Sequence, residues 1–313
     1  MRKTLIGIFL FAVMGVNAQP EVQYETVVPQ TFEFVQRGNQ ALQMDVYRPA
    51  NPRPDSACVL FMFGGGFVTG RRTADSLYFC QLADRGFTVV SIDYRLHLKE
   101  VDFDTVGLFN MQGVFRDAIN IAASDCAAAI AFVCNHAESW GIASNRIVLS
   151  GSSAGAIAVL QLDYCRANSL PPAEELPTGF VPAAVVPYAG AVYAVGGTPQ
   201  YRTPPAPTFF MHGTKDRIVN YRKFPPVLRS GLYGPKKLQR LFEKNDYCHW
   251  IFRFEGIGHE VATVMRYTLP EFCAFVDAAL SGRIMSYDAT VRDRNINPTD
   301  WTSMSVFDLY RKD

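Results

Sequence analysis

Residues 146–162 read RIVLSGSSAGAIAVLQL, and this stretch decides the fold. The apolar run 146–150 is typical of a buried strand, it leads directly into Gly151-Ser152-Ser153-Ala154-Gly155, and an apolar helical run follows. A G-x-S-x-G pattern alone occurs by chance in about one chain in ten of this length, but a strand before it and a helix after it are the setting of a nucleophile elbow. We therefore predict a strand–turn–helix unit with Ser153 at its tip; the alternative is a helix-start turn without chemistry.

Similar strand and helix patterns lie on both sides of this unit. Apolar or alternating runs predict strands over 31–35, 42–47, 57–63, 87–92, 181–187, 208–211 and 250–254, and helical spacing predicts a long helix over 115–140 and a last one over 269–280. Continuous apolar strands that alternate with helices are typical of a sheet buried on both faces. The sequence therefore predicts an α/β fold with a mostly parallel central sheet flanked by helices.

We expect residues 19–313 to form a single domain. The segment of about 167–207 is rich in proline and glycine and interrupts the alternation of strands and helices, so we predict a cap or pocket-forming insertion there. The tail from 282 to 313 is polar, and we expect it to wrap the surface with Trp301 and Phe307 as anchors.

Composition excludes several classes of protein. The 313 residues are 49% hydrophobic and 19% charged, which is the composition of a folded domain. Thirty basic and 29 acidic residues give a net charge of +1 without a block of like charge, which argues against a nucleic-acid binder. The seven cysteines include no C-x-x-C pair, so no zinc or redox motif is indicated, and the sequence leaves their pairing open.

The N-terminus has the pattern of a secretory signal peptide. Residues 1–18 read MRKTLIGIFLFAVMGVNA: two basic residues, an apolar run of twelve and small residues placed for cleavage after Ala18. Twelve helical residues cover about 18 Å, whereas a membrane span needs roughly 30 Å, so we expect no stable membrane anchor. The sequence predicts a secreted or periplasmic protein.

A serine hydroxyl needs a base and an orienting carboxylate to act as a nucleophile. Asp216 lies on the loop after the predicted strand 208–211, and His259 follows the strand 250–254, so both are expected at the same sheet edge as Ser153. Among the five histidines only His259 has this placement. Alone, His259 reads as a surface histidine and Asp216 as a turn residue; together with Ser153 they predict a catalytic triad. We expect Glu260 to be a solvated helix-start residue.

A glycine run, Phe63-Gly64-Gly65-Gly66-Phe67, ends the strand 57–63. Its backbone can approach a substrate oxygen closely, so the amides of Gly65, Gly66 and Ala154 are predicted to form an oxyanion hole. A phosphate loop is the alternative, but Arg71-Arg72 replaces the required Lys-Ser/Thr, and the sequence after His259-Glu260 lacks the second histidine of a zinc site. We expect no metal and no cofactor.

In their order along the chain these motifs resemble the α/β-hydrolase fold, specifically the carboxylesterase and hormone-sensitive-lipase-like group. Besides the glycine run, the elbow and the His212-Gly213-x-x-Asp216 and Gly258-His259 stretches, the resemblance includes Arg95 and Asp125, which correspond to a structural ion pair of that family. It implies that Ser153 is the nucleophile, His259 the general base and acid, and Asp216 its orienting partner. One departure is Phe63, which stands where the family usually has histidine; others are Ser152 and Ala156 beside the elbow.

The resemblance implies an exported serine carboxylesterase that forms an acyl-enzyme on Ser153. By analogy the substrates are small-molecule or carbohydrate esters, such as acetyl or feruloyl esters of polysaccharides. The alternatives are a serine peptidase on the same fold and a non-catalytic binding module. Phe67, Tyr94 and Tyr188 are candidates for the substrate pocket, with core packing as the alternative for each. Acyl length, alcohol and oligomeric state stay open.

Overall fold

Alternating strands and helices build one large sheet, as the sequence predicts. The computed structural model describes residues 27–103, 105–106 and 108–310, so the predicted signal peptide lies outside the described residues. In chain order the strands are β1 (Gln30–Arg37), β2 (Gln40–Tyr47), β3 (Cys58–Met62), β4 (Thr88–Ile92), β5 (Ile147–Ser152), β6 (Ala184–Tyr188), β7 (Val192–Ala194), β8 (Thr208–Gly213), β9 (Lys223–Phe224), β10 (Gly231–Tyr233), β11 (His249–Phe254) and β12 (Tyr287–Val291). The helices are α1 (Ser76–Asp84), α2 (Leu108–Trp140), α3 (Ala154–Asn168), α4 (Pro235–Lys244), α5 (Leu269–Leu280), α6 (Asp300–Ser303) and α7 (Val306–Leu309).

The main sheet is mostly parallel. Its nine strands lie in the order β1-β2-β4-β3-β5-β6-β8-β11-β12, and only the β1–β2 and β2–β4 pairs are antiparallel. The inner strands β3, β4, β5, β6 and β8 are buried along their full length, which fits their continuous apolar sequences. Because β5, β8 and β11 run parallel, the loops that follow them meet at one edge of the sheet.

Helices cover both faces of this sheet. Neighbouring residues of β8 show the two sides, because Phe209 packs against Phe275 of α5 and Phe210 packs against Phe242 of α4. On the first side, Phe272 of α5 meets Tyr78 of α1. The other side also holds the packed pair α2 and α3. This is the three-layer arrangement predicted from the alternation of strands and helices.

The long helix α2 begins seven residues before the predicted boundary. By length and hydropathy alone, its residues Asn110–Trp140 would suffice to cross a membrane, but most of the apolar window is buried inside the protein. Buried Ala118, Ala122 and Cys126 lie at helical spacing along the covered side. We therefore describe α2 as a core helix that packs against α3.

The predicted insertion at 167–207 is only partly separate from the sheet. Its residues 184–188 are the inner strand β6, consistent with the strand predicted over 181–187. Beyond β6, β7 joins β10 and β9 in a second sheet of three strands, to which residues 223–233 contribute two. A small second sheet thus forms, and two of its three strands come from a segment that the sequence analysis did not single out.

The C-terminal tail does more than wrap the surface. After α5 the chain returns to the main sheet as β12, which pairs in parallel with β11. Two one-turn helices follow, α6 and α7. The sequence analysis did not identify this strand, because YDATV alternates half-buried and exposed residues at a sheet edge instead of showing an apolar run.

Candidate active site

The turn after β5 has the strained geometry expected of a nucleophile elbow. Ser153 lies between β5 and α3 with φ 50° and ψ −114°, a conformation that few non-glycine residues adopt. Its amide donates a hydrogen bond of 2.8 Å to the carbonyl of Tyr188 on the neighbouring strand. A Cβ at Gly155 would lie 2.1 Å from the carbonyl oxygen of Met62, so the close approach of α3 to β3 requires glycine there.

Ser153, His259 and Asp216 meet at the edge where these loops converge. The Ser153 hydroxyl lies 2.8 Å from His259 Nε2, and His259 Nδ1 lies 2.8 Å from Asp216 Oδ2. With the Nδ1 proton donated to the carboxylate, Nε2 is free to accept the hydroxyl proton of Ser153. All three side chains are buried. The structure thus places the three predicted residues in one hydrogen-bonded chain.

The carboxylate of Asp216 is held in place by its own loop. Asp216 Oδ1 accepts hydrogen bonds of 3.0 Å and 2.9 Å from the amides of Ile218 and Val219, which leaves Oδ2 for His259. Burial alone would raise the pKa of this carboxyl, but the charge of His259 and the hydrogen bonds from His212 and His259 outweigh burial and lower the pKa to about 2. Asp216 is therefore ionised at neutral pH.

A second histidine, His212, lies beside the triad acid. Its Nε2 donates to the carbonyl of Val219 at 2.8 Å and also lies 3.3 Å from Asp216 Oδ2. The side chain is fully buried. The sequence analysis did not select His212 as the base, because His212 precedes the Asp216 loop. Its position four residues before Asp216 indicates that both residues belong to the same turn.

The glycine run lies against the nucleophile. A Cβ at Gly64 would lie 3.2 Å from Ser153 Cβ, so the run packs tightly against the elbow. Gly65 and Gly66 have φ angles of 123° and 64°, and within the described part of the chain neither amide donates a hydrogen bond to a protein group. Ala154 is the first residue of α3, where the amide has no partner within the helix. The oxyanion-hole role of these three amides remains a prediction.

Phe63, the departure from the family pattern, packs in place of a histidine. Its ring stacks on Tyr94 with centroids 4.4 Å apart, and the Tyr94 hydroxyl donates a hydrogen bond of 2.8 Å to the Phe63 carbonyl. Phe67 also packs against Tyr94, edge to face. Aromatic packing and one tyrosine hydrogen bond therefore hold the glycine run from behind.

The three pocket candidates are buried in this structure. Phe67, Tyr94 and Tyr188 expose 2%, 1% and 0% of their surface. The Tyr188 hydroxyl accepts a hydrogen bond from Thr268, and its backbone carbonyl accepts one from Ser153. Tyr94 and Tyr188 are therefore core residues, which was the alternative given above. Their hydroxyls form hydrogen bonds inside the protein, and both residues pack behind the site.

The residue after His259 joins the site to the C-terminal tail. Glu260 is buried, and Oε1 accepts hydrogen bonds from the amide and hydroxyl of Thr299 and from the Thr302 hydroxyl, at 2.7, 2.7 and 2.9 Å. Its Oε2 accepts from the amide of Gly258 at 2.8 Å. Burial acts to raise the pKa of Glu260, but these hydrogen bonds outweigh it and the pKa is lowered. The expectation of a solvated Glu260 was wrong, because its partners Thr299 and Thr302 lie 39 and 42 residues further along the chain and no local pattern links them to it.

The tail continues across the site to the glycine run. The Trp301 ring lies 5.7 Å from the His259 ring, the amide of Val306 donates to the carbonyl of Arg217, and the Tyr310 hydroxyl donates to the carbonyl of Gly66 at 2.8 Å. The predicted anchor Trp301 thus contacts the site, while the side chain of Phe307 is not described. We call residues 299–310 the C-terminal strap. The strap contacts the loop of the predicted acid Asp216, the predicted base His259, and the glycine run of the predicted oxyanion hole.

The pair Arg95 and Asp125 forms as the resemblance implies. The guanidinium binds the fully buried carboxylate at 2.7 Å, the Arg95 amide adds a hydrogen bond of 2.9 Å, and Arg37 of β1 approaches the same carboxylate. This network fixes the chain after β4 to α2. In the described ranges, 27–103, 105–106 and 108–310, no three His, Cys, Asp or Glu side chains are grouped so as to hold a metal ion, and all seven cysteines are free thiols.

Comparison with known proteins agrees with this geometry. The sequence model of the carboxylesterase family matches residues 18–169, which include the glycine run and the elbow. A thermophilic esterase from the planctomycete Thermogutta terrifontis superposes with a TM-score of 0.57, covering 84% of this chain and 95% of that one at 19% identity. The chain has the α/β-hydrolase fold, and its residues 18–169 are similar to the carboxylesterase family.

Sequence relatives of this α/β-hydrolase match it over shorter stretches. A probable isoprenylcysteine α-carbonyl methylesterase of Arabidopsis thaliana is 34% identical over 123 residues, which are 39% of this chain and 25% of that protein. Lipase 2 of Moraxella sp. (strain TA144) is 38% identical over 104 residues, 32% of this chain and 20% of the lipase. The matched stretch thus spans a quarter or less of the length of these relatives.

Proposed function

We propose that this α/β-hydrolase is a serine carboxylesterase that hydrolyses carboxylic esters through an acyl-enzyme on Ser153. The observation that carries the proposal is the continuous hydrogen-bonded chain from Ser153 through His259 to Asp216 at the edge of the sheet. A binding module that had lost catalysis would have no need for the strained φ of Ser153 together with an ionised Asp216 behind His259.

The geometry leads to a two-step mechanism. His259 takes the proton of Ser153 as its oxygen attacks the ester carbonyl, and Asp216 stabilises the resulting imidazolium. The amides of Gly65, Gly66 and Ala154 would stabilise the oxyanion. His259 then gives the proton to the leaving alcohol, and an acyl-Ser153 remains. In the second step His259 activates water, which attacks the acyl carbon and frees the acid and Ser153.

The bound molecules named for one structural relative favour a short acyl group in the substrate of this protein. Solved forms of the Thermogutta esterase are described with propionate and butyrate bound, and another as phosphorylated by paraoxon. We further propose export, on the pattern of residues 1–18, and acetyl or feruloyl esters of polysaccharides as substrates, on the resemblance to exported esterases.

Covalent labelling and turnover together test the proposal. We would treat the protein with paraoxon, measure nitrophenol release and intact mass, and locate the adduct by peptide mapping. Hydrolysis of nitrophenyl acetate, butyrate and octanoate would run in parallel. We expect one diethylphosphoryl group on Ser153, with 4-nitrophenol as the leaving group, and hydrolysis of at least the shorter esters.

Two variants control the experiment. Ser153→Ala should lose both labelling and turnover, whereas Ser139→Ala, an exposed serine near the end of α2, should keep both. A folded wild-type protein that neither labels nor cleaves any of the three esters would overturn the proposal. Labelling at a serine other than Ser153 would overturn the assignment of the nucleophile.

A further inference from the structure

A cavity of about 670 Å³ opens beside the loop of Asp216. Arg217, the next residue after Asp216, forms part of its wall together with Asn220. Strands β9 and β10 of the small sheet form another part, and Ser305 and Val306 of the C-terminal strap complete it. Because the amide of Val306 donates to the carbonyl of Arg217, the strap and the Asp216 loop meet at the wall of this cavity.

The wall of this cavity carries one sign of charge. Four of its side chains are cationic, namely Arg217, Arg222, Lys223 and Lys237, and no acidic side chain of residues 27–103, 105–106 or 108–310 lines it. Within the described part of the chain, Arg217, Arg222 and Lys237 form no ion pair, although eight other arginines do. The acids nearest in sequence to the lining have partners of their own: Asp216 binds His259, and Asp308 binds the amide and hydroxyl of Ser305. Clustered cations in a concave wall attract an anion.

The other lining groups fit a ring with hydroxyl groups better than a bare ion. Tyr233 and Phe224 contribute aromatic surface, and Lys223 lies over the Tyr233 ring at 4.9 Å from its centroid. Asn220 and Thr198 offer amide and hydroxyl groups. The cavity volume is in the range of small-molecule sites, and its mix of aromatic, polar and cationic groups matches a sugar that carries a negative charge.

We infer that this cavity is a subsite that binds a carboxylate-bearing sugar, such as a uronic acid residue of an acidic carbohydrate. As a substrate subsite it rests on the proposed esterase function: the acidic residue would sit next to the residue whose ester is cleaved. Arg222 and Lys237 bind the carboxylate, and Arg217 ties the subsite to the Asp216 loop. Sulfate and phosphate share the negative charge of a carboxylate but lack the ring.

Calorimetric titration tests binding without relying on catalysis. The full chain would be titrated with methyl glucuronide, methyl glucoside, sulfate and phosphate. We expect the glucuronide to bind about tenfold more tightly than the glucoside and than either inorganic anion, and its affinity to fall as salt rises. Equal affinity for glucuronide and glucoside would overturn the proposal, and so would sulfate or phosphate binding as tightly as the glucuronide.

Variants locate the subsite. The double variant Arg222→Gln/Lys237→Gln should lose the preference for glucuronide, while Arg240→Gln, exposed on α4 and outside the cavity, should keep it. A preference that survives the double variant would place the anion elsewhere and overturn the assignment.

Kinetics then separate this inference from the proposed function. We would compare hydrolysis of acetylated methyl glucuronide and acetylated methyl glucoside, with nitrophenyl acetate as a substrate too small to reach the cavity. The double variant should lower kcat/KM about tenfold for the glucuronide ester only. Glucuronide binding without hydrolysis of any ester would refute the esterase and leave the sugar site standing. Hydrolysis of both acetylated sugars with equal kcat/KM would refute the sugar site and leave the esterase standing.

Discussion

The carboxylate of Glu260 accepts hydrogen bonds from both the amide and the hydroxyl of Thr299, each 2.7 Å long. Glu260 follows the predicted base His259 directly, whereas Thr299 belongs to the C-terminal strap. A Cβ at Gly258 would lie 2.4 Å from the Cα of Thr302, so the strap passes against the base loop as closely as backbone can. The position of His259 thus depends on a segment 40 residues further along the chain.

Replacing Glu260 by glutamine should loosen this attachment. The side chain keeps one acceptor, but its NH₂ group would face a backbone N–H in either orientation, that of Gly258 or that of Thr299. Buried donors that lose their partner cost about 1–3 kcal/mol, so we expect Glu260→Gln to lower the free energy of unfolding by that amount. Denaturant unfolding measures it, with kcat for nitrophenyl acetate falling several-fold in parallel.

The exposed residue Glu243 on α4 supplies the matched control, since among the described residues its carboxylate accepts a hydrogen bond only from Gln239 on the same helix. Glu243→Gln should change neither stability nor kcat. If Glu260→Gln is as stable and as active as that control, the strap does not position His259.

Tyr310 should act on the oxyanion loop instead of on the base. Its hydroxyl donates to the carbonyl of Gly66, and this fixes the plane of the peptide between Gly66 and Phe67. Tyr310→Phe keeps the packing against Phe103 and Phe115 but removes that bond. We expect kcat to fall about three- to tenfold with KM unchanged, because the loop contributes most in the transition state.

Tyr267→Phe, at an exposed tyrosine, should leave both constants unchanged. A rise in KM alone for Tyr310→Phe would assign Tyr310 to substrate binding instead of loop geometry.

Local signals made most of the fold predictable. Apolar strands such as 57–63 and 87–92 are buried on both faces, so their sequence alone marks them, and α5 begins and ends at the predicted residues 269 and 280. The elbow was predictable because Gly151 to Gly155 combine a strand, a tight turn and a helix within one short stretch.

The strap was not predictable because nothing local marks it. The strand β12 is a polar edge strand whose partner lies 37 residues earlier, and Glu260 differs from a solvated glutamate only through Thr299 and Thr302. Likewise, His212 contacts Asp216 only because the turn between them folds back. Such contacts depend on how distant loops meet at the sheet edge, which the residue pattern does not encode.

Asp216 links catalysis to acid stability. Its pKa of about 2 lies below the ordinary 3.8, so the unfolded state binds the proton more readily than the native state. The corresponding stability, about 2 kcal/mol, is fully present above a pH of about 5 and is lost as the pH falls through about 2. Asp216→Asn removes this contribution and should also lower kcat by about 10³-fold or more.

Unfolding of wild type and Asp216→Asn at pH 6 and pH 2.5 measures the effect. The stability gap between them should narrow by roughly 1 to 2 kcal/mol at the lower pH. A gap that stays constant or widens would show that the carboxylate is not held ionised in the folded protein.

His212 should help to hold the carboxylate of Asp216 in place for the base. Its Nε2 lies 3.3 Å from Asp216 Oδ2, the oxygen that His259 Nδ1 contacts at 2.8 Å. In His212→Asn the shorter side chain withdraws that donor, so we expect kcat for nitrophenyl acetate to fall several-fold because the acid is held less firmly. His97→Asn, at an exposed histidine, should leave kcat unchanged. A folded His212→Asn protein with the kcat of the wild type would show that His212 does not position the triad acid.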